Sequence, residues 1–426
     1  MALKLSDGDR RALDGANGEA ARLAMSIVTR MAEVYGAEEL IDISQTHIDA
    51  CGFVSQSGIE FAERLVRLGA KVAVPSTLNM VPLDLQNWEA HGMPDEHARQ
   101  AKRLAQAYID MGCIPTWTCA PYQGYLTPRF GQQLVWGESN AVSYANSVLG
   151  ARTNRYGDYI DICAAITGRA PKCGLHVESN RRGQVLVRVD GLPPAVFDDE
   201  VFYAMLGYLI GHALQDRVPV IQGLPADIRG DQLKAMGAAA ASSGAVALYH
   251  VVGVTPEAPT LDAAFQGGEP SEVLEIDLAD LARAWSDLST VAEGTRLDAV
   301  VLGCPHFSYA EFEQLADAIE HEGGRSVASQ VRFLILTSQT AHSLLRRSRF
   351  LDTIEGFGAE VILDTCTLCA PILSSDTSVV MTNSAKQAYY APGELSTGVA
   401  FGSMRDCVRS AVEGAVCRDL RAWSGS

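Results

Sequence analysis

Two periods of apolar residue alternate along this chain. Ala20, Ala21, Leu23, Ala24, Ile27, Val28 and Met31 recur at helical spacing, and the short run Leu40-Ile41-Asp42-Ile43 then reads as a buried strand that empties into Ser44-Gln45-Thr46-His47. The unit repeats with a helix over about Gly58 to Leu68, a stop at Gly69, a strand Lys71 to Val74, and the polar run Pro75-Ser76-Thr77-Leu78-Asn79. A third helix spans about Asp95 to Met111, and its strand around Ile114 to Thr118 ends at Cys119. The last third has the same form. Strands at Ala299–Leu302, Phe333–Leu336, Val361–Leu363 and Ser378–Met381 deliver Gly303-Cys304-Pro305-His306, Thr337-Ser338, Asp364-Thr365-Cys366 and Thr382-Asn383-Ser384-Ala385-Lys386, with helices over Tyr309–His321 and Ala341–Phe350 between them. Helices alternating with short apolar strands predict parallel sheets, whose ligands bind beyond the carboxyl ends of the strands.

The middle of the chain says less. Val185–Val189 and Pro219–Ile221 read as strands and Val201–Leu214 as a helix, while Pro256–Pro270, with Gly267-Gly268, has the composition of a surface connection. The length of 426 residues exceeds one simple core, so two or three α/β lobes are expected, with approximate bounds 1–183, 184–295 and 296–420.

The stretch Gly112–Asp158 is richest in chemistry. It runs from Cys113 and Cys119 through Trp136-Gly137-Glu138-Ser139-Asn140 to Asn146-Ser147 and Arg152-Thr153-Asn154-Arg155, setting amides, hydroxyls and guanidiniums among Ala145, Val148, Leu149 and Ala151. Polar groups held in an apolar frame mark a ligand site. His176, after a Gly-rich turn, reads equally well as a ligand contact or a satisfied structural histidine.

Charge narrows the partners. A formal net charge of -17 and a pI near 5.0, with no basic cluster, weigh against nucleic acid and anionic membrane surfaces. A small carboxylate stays open, since one or two buried cations suffice to hold it. The N-terminus lacks a secretory pattern, and the run Ala235–Val254 is broken by Gly237, Ser242, Ser243, Gly244 and His250, so a cytoplasmic chain is expected. Ten cysteines in that compartment predict no disulfide framework.

Cys119, Cys304 and Cys366 share one local grammar, an apolar strand followed by Cys beside Pro or Thr. Three thiolates converging from strand ends suit an iron–sulfur cluster with one iron left open, with buried inert thiols as the competing reading. Cys366 and Cys369 also form a CxxC, which raises zinc or a redox disulfide; no second CxxC supports zinc, and no thioredoxin-like context supports exchange. No GxGxxG after a strand, GxxxxGK[ST], HExxH or GxSxG is present.

The runs CAPYQG, WGESNAVSYANSVLGARTNR, GCPHFS, DTCT and TNSAKQAYYAPG, in this order, resemble the aconitase X family over nearly the whole chain. The resemblance implies an aconitase-like α/β fold of several α/β/α subdomains with mainly parallel sheets around a central cleft. It implies an iron–sulfur cluster, 4Fe-4S or 2Fe-2S, held by Cys119, Cys304 and Cys366, with Cys369 outside the set. It further implies a large subunit without the small swivelling domain, which a separate small-subunit partner supplies along with the catalytic base.

Family members dehydrate cis-3-hydroxy-L-proline or mevalonate 5-phosphate. The scattered cations favour hydroxyproline, giving Δ1-pyrroline-2-carboxylate. Arg152 or Lys386 is then expected on the carboxylate, with Ser76, Thr77, Asn79, Asn146, Ser147, Asn154, His176 and Ser384 as further substrate contacts. A cluster-containing regulatory or binding protein without catalysis is the alternative from another class.

Overall fold

A computed structural model describes residues 3–52 and 55–419, and the chain divides into two compact units, 1–182 and 183–426. In the first unit, β1 (Leu40–Asp42), β2 (Thr46–Ile48), β3 (Ser76–Leu78), β4 (Val135–Trp136) and β5 (Arg169–Pro171) make two small sheets. β1 pairs antiparallel with β5, whereas β3-β2-β4 is a parallel sheet in which His47 lies opposite Thr77 and Trp136.

This arrangement shifts two expected strands. The apolar run at Leu40–Ile43 supplies a ribbon, and the parallel strand is the polar-looking Thr46-His47-Ile48. Likewise Lys71–Val74 is not a strand, and Ser76-Thr77-Leu78 is. Both true strands are wholly buried, so hydroxyl and imidazole groups stand where apolar residues are usual. They do so because they satisfy one another: Thr77 Oγ1 donates to the Thr46 carbonyl at 3.3 Å and meets His47 Nδ1 at 2.9 Å. Ile114–Thr118 contributes only a bridge from Ile114 to Thr77, continued by Thr118 N donating to the Leu78 carbonyl.

The second unit holds two parallel sheets. β6 (Val185–Arg188), β7 (Pro219–Gln222), β8 (His250–Val251) and β9 (Glu272–Glu275) lie in the order β8-β7-β6-β9. The helices Glu200–Leu214 and Gly230–Ser243 cross at backbone contact: a Cβ on Gly211 would stand 2.5 Å from the Ala240 carbonyl oxygen, which only glycine avoids. The Ala-rich run of the second helix is thus explained as packing surface, and no helix among the described residues is long and apolar enough to cross a membrane.

β10 (Ala299–Phe307), β11 (Arg332–Thr337), β12 (Ala359–Leu363), β13 (Val379–Thr382) and β14 (Gly398–Phe401) form the larger sheet, in the order β12-β11-β10-β13-β14. Its core gathers Val300, Leu302, Phe307, Phe312, Phe333, Ile335, Met381, Met404 and Val408. The expected single helix Ala341–Phe350 is two, Gln339–Leu345 and Phe350–Phe357.

β10 runs five residues past its expected end. Its register with β11 is regular from Ala299 to Leu302, then slips, and resumes with Phe307 opposite Thr337. The slip is a bulge that lifts Gly303-Cys304-Pro305-His306 off the ladder. Gly303 sits at φ +91°, and a Cβ there would lie 2.1 Å from the Leu336 carbonyl oxygen. Gly303→Ala is therefore expected to lower unfolding stability by about 1–3 kcal/mol, from overpacking plus left-handed strain, in urea titration. An unchanged midpoint would remove this account of the bulge.

Candidate functional site

In the first unit, polar groups collect where β2 and β3 end. Asn79 Nδ2 donates to Asp49 Oδ1, and Asp161 Oδ2 accepts from Asp49 N at 2.6 Å and Ala50 N at 3.3 Å, while its Oδ1 accepts from Ile162 N at 2.6 Å. Burial pushes both carboxyls up to about 7, and the neighbouring charges of Glu138, Asp158 and Asp161 push Asp49 the same way. Burial also takes His47 down to about 4, so its ring is neutral at physiological pH.

Cys119 lies in the same unit, beyond the segment that runs beside β3, and is 4% exposed. Its carbonyl accepts from Asn140 Nδ2 at 2.8 Å, and Asn140 Oδ1 accepts from Tyr122 OH at 2.9 Å. Tyr122 stacks on Tyr144 with centroids 3.8 Å apart. Asn140 is placed by the start of helix Ser139–Ser147, which Glu138 caps by accepting from Ala141 N at 2.7 Å. The WGESN run thus builds a helix start whose second residue fastens the backbone of Cys119.

The other expected contacts in this unit have internal partners. Ser76 Oγ donates to the Val74 carbonyl at 2.8 Å, and Thr77 pairs with His47. Asn146 Nδ2 donates to the Thr153 carbonyl, its Oδ1 accepts from Thr153 N, and its carbonyl accepts from the fully buried Arg181; Ser147 is buried beside it in sequence. Gln133, just before β4, accepts from His176 Nδ1 at 2.6 Å, and His176 Nε2 accepts from Tyr156 OH at 2.6 Å. Asn154 Nδ2 donates to the Cys173 carbonyl and its Oδ1 accepts from Leu175 N, while Arg152 pairs with Glu178. Burial, and then the charges of Arg181 and Arg152, takes His176 down to about 3. The group formed by Arg152, Asn154 and His176 is tied to the amino end of β4, the end opposite the one that leads to Gly137 and Glu138. The structure therefore gathers Asn79 and Asp49 at one end of this sheet and Arg152, Asn154 and His176 at the other.

In the second unit the β10 bulge sets Cys304 on a cavity of about 40 Å³, shared with Gly303, Pro305, Phe307, Lys234, Asn383 and Ser384. Ser384, the cap of helix Ala385–Glu394, donates its hydroxyl to the Cys304 carbonyl, and Lys386 is buried in the first turn of that helix. His306 Nε2 donates to the Thr365 carbonyl at 3.0 Å, fixing the loop that carries Cys366 just beyond β12. Cys366 is 5% exposed, and its Sγ stands 3.4 Å from Cys369 Sγ.

Behind this bulge lies a buried ion group. Lys234, 2% exposed, meets Asp231 at 3.0 Å, pairs with Glu311, and reaches the His306 carbonyl at 3.4 Å. Burial opposes its charge, but Asp231 and Glu311 outweigh it and raise Lys234 above the usual lysine range, while burial pushes Glu311 up to about 7. Sequence reading passed over this group and over Asp49 and Asp161, and placed Asn140 in the ligand stretch without its role on the Cys119 carbonyl. Asp231 and Lys234 one helical turn apart, and the Ser308-to-Glu311 capping spacing, were visible, but nothing in the sequence joins two helices 77 residues apart.

Among the described residues no three His, Cys, Asp or Glu side chains stand grouped so as to hold a metal ion. Cys119 belongs to the first unit, and Cys304 and Cys366 to the second. The chemistry of the three nevertheless suits iron: Cys366 lies just beyond a parallel strand, Cys304 in the bulge of another and Cys119 after a strand-like segment, and the backbone at or beside each is fastened by a side chain.

Family models settle the relationship. The aconitase X first, second and third domains match residues 2–179, 183–286 and 297–413 in turn. The chain belongs to the aconitase X family. Proteins similar to it include the cis-3-hydroxy-L-proline dehydratase of Pseudomonas aeruginosa, 45% identical over 423 residues, covering 99% of this chain and 72% of that one. The phosphomevalonate dehydratase large subunit of Methanothermobacter thermautotrophicus is 37% identical over 408 residues, covering 94% and 97%. The holo-form crystal structure of Thermococcus kodakaraensis aconitase X superposes with a TM-score of 0.86 at 30% identity, covering 96% of this chain and all of that one. The expected aconitase-like α/β architecture with parallel sheets is thereby met.

The buried Asp161 gives a pH test. A carboxyl whose folded pKa is raised holds its proton after the unfolded chain has released one, so stability is greatest below about pH 4, where both states are protonated. It falls as pH rises toward 7, by up to about 1.4 kcal/mol per pH unit for one group, and levels above that. Asp161→Asn is expected to be less stable at pH 6, because an amide nitrogen would face backbone N–H groups, and to show a flatter slope between pH 4 and 7 in urea titration. An identical slope in the two proteins would exclude Asp161 as its source.

Proposed function

We propose that this chain is the cluster-bearing large subunit of an iron–sulfur hydro-lyase that converts cis-3-hydroxy-L-proline to Δ1-pyrroline-2-carboxylate. The observation that carries the reading is the 45% identity, over 99% of the chain, to a protein of that named activity. The chain also spans 97% of a protein named as a large subunit, which supports a separate small subunit as partner.

Cys119, Cys304 and Cys366 would hold the cluster. When bound, such a group with one iron free of protein ligands supplies Lewis acidity toward the leaving hydroxyl. The chain's own residues position and exclude water. Asn79 is at the carboxyl end of β3, and Ser384 and Lys386 are at the start of the helix beside Cys304. Lys386 meets the substrate carboxylate and Ser384 fixes the Cys304 backbone, while Asn79, whose Nδ2 serves Asp49, orients the ring through its Oδ1, a buried atom with no hydrogen bond among the described residues. We assign Arg152, Asn154 and His176 to structural support at the amino end of β4, and Asn146 and Ser147 to the helix that carries Asn140, because their polar atoms serve internal partners. The proton on the carbon bearing the carboxylate leaves to a base on the small subunit. Loss of that proton and of the hydroxyl as water gives an enamine, which gains a proton on carbon and loses the one on its ring nitrogen to become the cyclic imine.

The test uses chain and small subunit prepared together without oxygen. Wild type should contain iron and form the imine. Cys119→Ser, Cys304→Ser and Cys366→Ser should each lose iron and fall about a thousandfold or more in turnover, the scale of several kcal/mol of hydroxyl polarisation. Iron retained at wild-type level in all three variants would overturn the ligand assignment. Faster dehydration of mevalonate 5-phosphate than of hydroxyproline would overturn the substrate. Iron without turnover of either would favour a cluster-bearing regulatory protein.

A further inference from the structure

We propose that Cys366 and Cys369 are a reversible dithiol–disulfide site, which a glutathione-type disulfide closes when the iron–sulfur group is absent.

The sulfur atoms already stand 3.4 Å apart, inside a turn in which Cys369 N donates to the Cys366 carbonyl at 3.2 Å and Ala370 N donates to the same oxygen at 3.0 Å. Closing to a bond of about 2.05 Å needs a sulfur displacement that side-chain rotation supplies. The turn is anchored on both sides of the pair. His306 holds the Thr365 carbonyl at 3.0 Å, Gln387 Nε2 donates to Thr367 Oγ1 at 3.2 Å, and Gln339 holds the Asp364 carboxylate at 3.0 and 3.1 Å. The two thiols therefore meet in a turn whose backbone is already fastened.

Exposure sets the order of events. Cys369 is partly exposed and Cys366 is buried. The Cys369 thiol, after losing its proton to solvent, attacks one sulfur of oxidised glutathione, forming a mixed disulfide and releasing one glutathione thiolate. Cys366 sulfur, having lost its proton in turn, attacks the Cys369 sulfur, forming the internal bond and expelling the second glutathione thiolate. Two protein thiols are oxidised, one glutathione disulfide is reduced, and the two protons end on the released thiolates.

The bond itself follows from the geometry of this turn; its consequence for iron rests on the assignment of Cys366 as a cluster ligand. A closed pair withdraws that ligand, and a dithiol reductant returns it. Cys369, which the ligand set does not use, then acts as the entry thiol, and Cys366, which the set does use, resolves the mixed disulfide.

The experiment starts from full-length chain freed of iron under reductant. It is treated with oxidised glutathione, alkylated and cut with trypsin, and the segment between Arg349 and Lys386 carries just these two of the ten cysteines. Oxidised wild type should give that peptide unalkylated and lighter by two hydrogens than its reduced form. It should take up ferrous iron and sulfide only after dithiothreitol, whereas Cys369→Ser should take them up without it. Two alkylated thiols in the oxidised wild-type peptide, or equal iron uptake before and after dithiothreitol, overturns the proposal. If fully reduced wild type takes up no iron, the cluster reading falls, and the peptide map still decides the disulfide.

Discussion

The structure rests on one repeated device: the backbone around a cysteine at the end or bulge of a strand or strand-like segment is held by a side chain from another element. Asn140 takes the Cys119 carbonyl, Ser384 takes that of Cys304, and His306 takes that of Thr365, one residue before Cys366. Backbone leaving a parallel sheet carries carbonyls that the ladder no longer satisfies, and in a buried setting each needs a donor. Supplying it from a side chain fixes the chain direction at that residue while leaving the sulfur uncommitted by the backbone bond. Two of the three donors lie at helix starts, Asn140 and Ser384, where first-turn geometry is itself set by a capping side chain.

The β10 bulge belongs to the same logic. Gly303 packs against the Leu336 carbonyl so closely that no side chain fits, and the register slips before Phe307 rejoins β11. Cys304 is presented off the ladder rather than lost in it. The buried group of Lys234, Asp231 and Glu311 holds the far side of the bulge through the His306 carbonyl. Breaking such a group by removing one partner leaves an uncompensated buried charge, so it ties the bulge to the helix Gly230–Ser243 with little tolerance for movement. In the first unit Asp161 has a comparable part, since its carboxylate receives three backbone N–H groups around the end of β2 and the start of its own helix.

Helices were largely legible, because burial of one face imposes a period that composition displays. Glu200–Leu214 and Tyr309–Glu320 lie within a residue of their expected bounds. Four of the five strands of the larger sheet were legible for a related reason, since strands buried on both faces read as continuous apolar runs; the edge strand Gly398–Phe401 was not read, nor was the extension of β10 to Phe307. The first unit broke that rule. Thr46-His47-Ile48 and Ser76-Thr77-Leu78 are buried strands whose polar side chains pair across the sheet, and a polar run that satisfies itself cannot be told from a loop until the partner strand is known.

The sequence by itself determined the family and the alternation of helix and parallel strand, since these are local in pattern and long in motif; of the three cysteines expected beyond strands only Cys366 is, while Cys304 lies within β10 and Cys119 follows a bridge segment. Tertiary structure alone decided which polar residues are occupied. Arg152, Asn154 and His176 look available in sequence and are bound up with Glu178, Cys173, Leu175, Gln133 and Tyr156, whereas Asp49, Asp161 and Lys234 drew no notice and sit where β2 ends and behind the β10 bulge. A hydrogen bond depends on where its partner lies in space, and here the partners are up to 112 residues away along the chain. Residue type tells what a side chain can do; only its neighbours in the fold tell whether it is already doing it.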